Sequence, residues 1–309
     1  MKIDNIRHIY VVLRPDGNNQ PALERAILAA SLPQTRVSLL CPVYNSALEH
    51  NLLLNEAQRR DGRTQWINGH EQWLHRELET FRKQHPKSDA RLLYGADTTT
   101  ELLAELPPDG ETLLIRSPDK RHLVRDLLLP QKDWELIRRC PLPLWLPRQS
   151  IPLTRVIACV DPLHSADPSH ARDLKIIETA QSLAQLTQTP MAVLHCYSPL
   201  SHQMLFDADF VNAEATQTNA LRQRHRAALP PLLESAGISE QQLIMVEGQA
   251  EQVLKKESME VPGTLVVIGA TARGALDSAV IGNTAERVLQ HGDCELLICP
   301  AATVLRQDH

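Results

Sequence analysis

The chain has 309 residues, enough for two domains of ordinary size, and 43% of them are hydrophobic but only 4% aromatic, so two aliphatic cores are expected. A formal net charge of -5 excludes a large nucleic-acid surface, which needs clustered basic charge. No apolar run approaches the roughly 20 residues that span a bilayer, and the opening MKIDNIRHIYVVLRP is broken by charges, so a cytoplasmic protein without membrane contact is expected.

Taken in chain order, HIYVVLRP (8–15) and VSLLCPVY (37–44) read as the first two strands. The irregular stretch 45–85 ends in a long helix, in which Trp66, Trp73, Leu74, Leu78 and Phe81 recur at helical spacing. Strands at ARLLYG (90–95) and TLLIRS (112–117) flank a helix around TTTELLAEL, and LPLWLP (142–147) closes the half. Prolines 143, 147 and 152 mark a short junction. The same order then returns about 150 residues later, a domain length rather than a solenoid period. VIACVDP (156–162), AVLHCYSP (192–199), LIMVEG (243–248), LVVIGA (265–270) and ELLICP (295–300) are its strands. Between them, one helix places Leu174, Ile177, Ala180 and Ala184 on a single face, and another lies around EQVLKK. Pro230 and Pro231 are expected to interrupt the helix that follows the irregular segment 199–236.

Each strand run is short, continuously apolar and bounded by Pro or Gly, as strands buried on both faces of a parallel sheet are. Strands alternating with helices require right-handed crossovers and helices on both faces. The expected fold is α/β, with two tandem doubly wound five-stranded parallel-sheet domains over 1–149 and 152–305.

In such sheets a ligand sits beyond the carboxyl ends of the strands, where strand order reverses. The segment GATARGALDSAVIGNTAERVL (269–289) leaves a strand at Gly269 and Ala270 and enters a helix at Gly282, Asn283 and Thr284. Its glycines allow backbone N–H groups to approach a phosphate, and the helix start is anion-friendly. The bland alternative is as well founded. Asn283 three residues before Glu286 makes a capping box that satisfies the helix's own amides, and Asp161-Pro162 starts a turn whatever is bound.

The order of elements, the repeat and this loop resemble the universal stress protein family, in a tandem form covering nearly the whole chain. The wording GNTAERV before a C-x-L-L-I strand carries the likeness furthest. The resemblance implies an adenine nucleotide alpha hydrolase-like fold, with the halves related by a pseudo-two-fold axis and packed together as in a fused dimer. LPLWLP would then pair incompletely with ELLICP, since prolines remove donors. Nucleotide-binding members carry G-x2-G-x9-G followed by Ser or Thr. Gly269 and Gly282 match the first and last glycines, Ala272 stands for the second, Asn283 replaces the Ser or Thr, and Gly274 lies two residues late. By the same resemblance Asp161 faces the adenine, and Arg273 is within reach of a phosphate. ATP in the second half is thus one reading, and an inherited structural loop the other. In the first half Arg14 stands where Asp161 stands, and RSPDKRHLVRDLLLPQKDW has no glycine, with Pro130 near the last glycine's place, so no nucleotide is expected there. KRHLVR reads either as an anion patch or as a solvated helix face.

Catalytic signatures are missing: no G-x-S-x-G elbow, Rossmann G-x-G-x-x-G or Walker loop occurs. His195 ends a strand and reads as packed or cleft-facing. His164 and His170, with Asp161 and Asp167, match no metal-ligand spacing and read as a polar turn, with Ser169 or Asp173 capping the helix that follows. Cys41, Cys140, Cys159, Cys196, Cys294 and Cys299 form no C-x-x-C pair and read as buried free thiols. Met204, Leu205, Phe206 and Phe210 read either as the lining of a pocket or as a cover for the other half, and packing against the other half is the expectation. Two functions remain: a stress-response binding module without catalysis, working through protein partners or an unknown ligand, and an adenine-nucleotide sensor or slow ATPase. A homodimer is compatible with both.

Overall fold

The computed structural model describes residues 5–15, 20–30, 35–107, 111–118, 131–163, 170–198, 208–270, 287–288 and 294–300, with side chains from 135 onward in the helix at 131 and from 218 onward in the helix at 208. The chain divides into two compact units, one over Asp4–Ser150 and one beginning at Ile151. The α/β architecture is as expected, with an all-parallel sheet in each unit.

The N-terminal unit contains β1 (His8–Val12), α1 (Pro21–Ala29), β2 (Arg36–Val43), α2 (Ser46–Glu49), α3 (Glu56–Arg82), β3 (Ser88–Tyr94), α4 (Thr98–Ala104), β4 (Thr112–Arg116), α5 (Gln131–Arg139) and β5 (Leu144–Leu146). Its strands lie in the order β3-β2-β1-β4-β5, every neighbouring pair parallel. The C-terminal unit repeats this with β6 (Arg155–Cys159), α6 (Ala171–Thr187), β7 (Met191–Tyr197), α7 (Ala208–Ala236), β8 (Leu243–Glu247), α8 (Ala250–Glu260), β9 (Thr264–Gly269) and β10 (Glu295–Cys299). The order there is β10-β9-β6-β7-β8, again all parallel. In each unit the chain runs outward through three strands and then crosses back to the other side of the first. The switch points are therefore β1/β4 and β6/β9.

The cores follow from the apolar runs. Ile9, Val11, Leu39, Leu113, Leu114 and Ile115 are fully enclosed in one sheet, and Val156, Ile157, Leu265, Val266, Leu296 and Leu297 in the other. Each such side chain contributes about 1.5–3 kcal/mol by leaving water. β5 is only three residues long because Pro141, Pro143 and Pro147 surround it and supply no N–H. Trp145 nevertheless sits fully buried at its centre.

Three local expectations differ from the structure. Only Leu74, Leu78 and Phe81 of the α3 apolar set are buried. Trp66 and Trp73 are half-buried. Trp66 instead lies tilted against His70, ring centroids 4.0 Å apart, and meets the edge of Tyr94. On α6 the buried face is centred on Ile176, Ile177, Ala180, Leu183 and Ala184, and Leu174 lies at its margin. The third concerns Pro230 and Pro231, which do not end their helix: α7 runs through them. Burial of Leu229, Leu232 and Leu233 holds the helical path, although the prolines leave the carbonyls of Arg226 and Ala227 without their helical donors.

Gly263 enters β9 at φ +81°, and a Cβ there would stand 2.3 Å from the Pro152 carbonyl oxygen. Only glycine fits this turn.

Candidate functional site: the carboxyl edges of two sheets

The C-terminal switch point is built by β6 and β9. Ala158 pairs with Val267 in register, and continuing three residues places Asp161 opposite Ala270 and Val160 opposite Gly269. The structure thus brings together three residues singled out in the sequence. The Asp161 N–H donates to both carboxylate oxygens of Asp173, at 3.2 and 3.1 Å. Asp173 is buried in the first turn of α6. It does not cap α6. The N-cap is His170, in a left-handed conformation at φ 55° with no side-chain cap bond. Asp173 anchors the loop after β6 instead, which fixes the backbone on which the Asp161 carboxylate is carried.

Gly269 closes β9 without a left-handed φ. An added Cβ would lie 3.3 Å from Ile176 Cδ1 and 3.5 Å from Arg172 Cδ. Here the glycine permits close packing of α6, which runs its Arg172 stem along the strand end. The Ala270 N–H donates to the Cys299 carbonyl at 2.8 Å, so it belongs to the sheet. Ala272, Arg273, Gly274, Gly282, Asn283 and Thr284 lie outside the described residues, as do Glu286, His164, Asp167, Ser169, Met204, Leu205, Phe206, Pro130 and KRHLVR. Phe210 lies on the described backbone of α7, without its side chain. Arg287 and Val288, beyond the loop, are helical, and Val288 is fully buried.

On the other flank of β6, His195 is 1% exposed. Its Nδ1 lies 3.0 Å from the Val160 carbonyl oxygen and its Nε2 lies 2.7 Å from Nδ1 of His225 on α7. The carbonyl can only accept, so Nδ1 of His195 carries a proton, and in the neutral ring Nε2 accepts from the Nδ1–H of His225. Tyr197 stacks on His225 at 5.4 Å and donates its hydroxyl to Glu247 at 3.3 Å. Burial lowers the affinity of His195 for a second proton, against a smaller upward pull from the Val160 carbonyl and the Asp161 charge. His195 is thus packed. Its partner His225 carries no sequence signal: 30 residues separate the two, and His225 sits in a polar helical stretch.

The N-terminal switch point has the same backbone and different chemistry. Val12 pairs with Arg116, which places Arg14 opposite Pro118 two residues on. Arg14 Nη1 donates to the Pro118 carbonyl at 3.1 Å, across the crevice. Gln20 Nε2 donates to the Arg14 carbonyl at 2.6 Å, and Ser117 Oγ accepts the Ala22 N–H at 3.0 Å, capping α1 from the neighbouring strand. The crevice is occupied by the unit's own groups.

Beyond the ends of β2 and β3, Glu49 accepts from Arg63 Nε at 2.6 Å, from Arg63 Nη2 at 2.5 Å and from the Tyr94 hydroxyl. Those bonds, the Arg63 pair first, hold the Glu49 carboxyl down at about 2. Cysteine chemistry is suppressed at four positions. All six thiols are free, and burial pushes Cys140 and Cys196 up to about 12 and Cys159 and Cys299 upward as well. Protonated thiols are poor nucleophiles. Among the described residues no group of three metal-ligating side chains converges, and no helix is long and apolar enough to cross a membrane.

Comparison with known proteins agrees with this architecture. Residues 154–300 match the universal stress protein family. Universal stress protein E of Photorhabdus laumondii is 24% identical over 297 residues, 95% of this chain and 94% of that protein. The Escherichia coli protein of the same name is 24% identical over 300 residues, 94% of this chain and 93% of its own length. Among solved structures, a universal stress protein from Pseudomonas aeruginosa superposes with a TM-score of 0.72 at 22% identity, over 96% of this chain and 94% of that one. One from Archaeoglobus fulgidus gives 0.62 at 13% identity, over 95% and 98%.

Proposed function

The chain belongs to the universal stress protein family, and from that premise we propose that it is a non-catalytic binding and regulatory protein of the stress response. It acts in the cytoplasm through protein partners or a bound small ligand, and its C-terminal unit is the one that receives the ligand. The observation that carries this reading is the contrast at the switch points. In the N-terminal unit Arg14 is bonded to Pro118 across the crevice. In the C-terminal unit Asp161 stands on an anchored backbone, in register with the Gly269–Ala270 strand end. Six free thiols support a reducing compartment. The absence of catalysis is supported by the suppressed thiols and by an N-terminal crevice spent on internal hydrogen bonds.

A second reading is favoured by Asp161 itself, a carboxylate able to accept an amino-group hydrogen bond at the end of the first strand. On that reading the C-terminal unit is an adenine-nucleotide sensor or slow ATPase. Calorimetry on the ligand-stripped full chain with ATP and Mg²⁺ separates the two. No saturable heat up to millimolar nucleotide keeps the first reading. Saturable binding that Asp161→Asn abolishes moves the assignment to the sensor. Phosphate release lost in the same variant would make it an enzyme and overturn the non-catalytic reading.

A further inference from the structure

We propose that the His195–His225 pair is a pH-operated latch that holds residues 218–228 of α7 onto the carboxyl edge of the C-terminal sheet and releases them under mild acid. This goes beyond the proposed function and does not depend on any ligand being bound.

Three observations carry it. α7 is anchored unequally. Leu229, Leu232 and Leu233 are buried, whereas every side chain from Thr218 to Ala228 is exposed or half-buried. A helix segment without buried apolar contacts has little to hold it against local opening. The two parts meet at Pro230-Pro231, where two consecutive helical hydrogen bonds are missing. That is a hinge next to the end of the anchored part. On the segment beyond the hinge, His225 reaches the sheet, 2.7 Å from a ring nitrogen of a 1% exposed histidine.

The facing nitrogens share one proton. A first proton leaves this bond in place, because the neutral ring of the pair can carry its own proton on the outer nitrogen; a second proton sets N–H against N–H at that distance and adds like-charge repulsion, so the doubly charged pair must part. The described groups around His195 do not remove this conflict. On β7 the flanking Cys196 is a protonated thiol, held up by burial, and Tyr197 is a neutral phenol whose hydroxyl is bonded to Glu247 of β8. Arg222 of α7 acts on Tyr197, and Glu251 of α8 acts on Cys196. Asp161, after β6, favours charge on His195 but is outweighed by burial. At the start of α6 stand His170 and Asp173, the latter taken up by the Asp161 N–H. The closed latch disfavours the second proton, so its stabilisation is present above the ordinary histidine value near 6.5 and is lost as pH falls below it toward the depressed value.

Hydrogen–deuterium exchange of the full chain between pH 7.5 and 5, corrected for the intrinsic exchange rate, tests this. Peptides covering 218–228 are expected to exchange several-fold faster at the acid end. Peptides from β6, β7 and 232–236 stay protected. In His225→Asn, whose side-chain amide N–H can donate to Nε2 without titrating, the 218–228 profile is expected to be flat. In the wild-type chain the downfield imidazole N–H resonances should vanish over the same pH window, a readout that needs no variant. Unchanged wild-type protection, an equal acid response in His225→Asn, N–H resonances persisting to pH 5, or loss of β6 and β7 protection together with the helix would each overturn the latch.

Discussion

The two units share a strand order and differ at one crevice. β1/β4 and β6/β9 are superposable in pattern: each first strand is flanked by the second and the fourth, and each reversal leaves a gap at the carboxyl edge. In the N-terminal unit an arginine spans that gap to a backbone carbonyl and a serine caps the first helix from the next strand. In the C-terminal unit an aspartate stands at the equivalent place, its amide held by a second, buried aspartate. A repeated apolar pattern is enough to reproduce a fold, while one or two polar residues at the switch point decide whether its crevice is closed from within.

The comparison can be broken or sharpened by mutation. The largest effect is expected at the turn entering the fourth strand of each unit. Arg7 N–H donates to the Glu111 carbonyl in one unit, and Thr154 N–H to the Gly263 carbonyl in the other. Gly263→Ala meets a backbone oxygen and an unfavourable φ, and should cost the C-terminal unit about 3 kcal/mol in urea unfolding. Glu111→Ala, at the matching exposed position, should stay within about 0.5 kcal/mol. Equal costs would mean that the two turns are not equivalent.

Next in size is Asp173→Ala, which strips the Asp161 amide of a charged acceptor and should cost about 2 kcal/mol, with protection lost first around 160–163 in hydrogen exchange. Smaller still is Arg14→Ala, expected to cost the N-terminal unit about 1 kcal/mol in chemical denaturation. Unchanged stability in that variant would mean that the bond to the Pro118 carbonyl does not hold the N-terminal crevice closed.

The last expectation is a contrast in pH response. Glu49 is depressed to about 2 by Arg63 and Tyr94, so whatever stability it adds is present above the ordinary carboxylate value and lost only as pH falls through about 2. Hydrogen exchange of peptides covering 45–63, corrected for the intrinsic rate, should therefore be flat from pH 8 to 5, over the range in which the His195–His225 pair responds. A transition near pH 6 in that signal would show that the acid response is not confined to the C-terminal unit.

The strands and the duplication were readable because continuous burial on both faces leaves an unmistakable apolar run. TLLIR and TLVVIG are such runs, and both fold as the fourth strand of a unit. Asp161 and Gly269 were readable as neighbours because strand ends in a doubly wound sheet converge at the reversal. The helices were less so. The passage of α7 through Pro230-Pro231 defied local propensity, because buried leucines on the same turns outweigh two missing donors. The role of Asp173 was misjudged for a related reason. A carboxylate in a first turn ordinarily caps its own helix, and only the tertiary fold brings the Asp161 amide within its reach.

Sequence alone determined the strands, their duplication and the carboxyl edge at which a ligand could sit, since hydrophobic periodicity and chain connectivity act through local and repeated signals. Tertiary structure alone decided what fills those places: that Arg14 reaches the Pro118 carbonyl and that His225 meets His195. These contacts join residues 104 and 30 positions apart, and no periodicity encodes a hydrogen bond whose two ends come within reach only after the chain has folded.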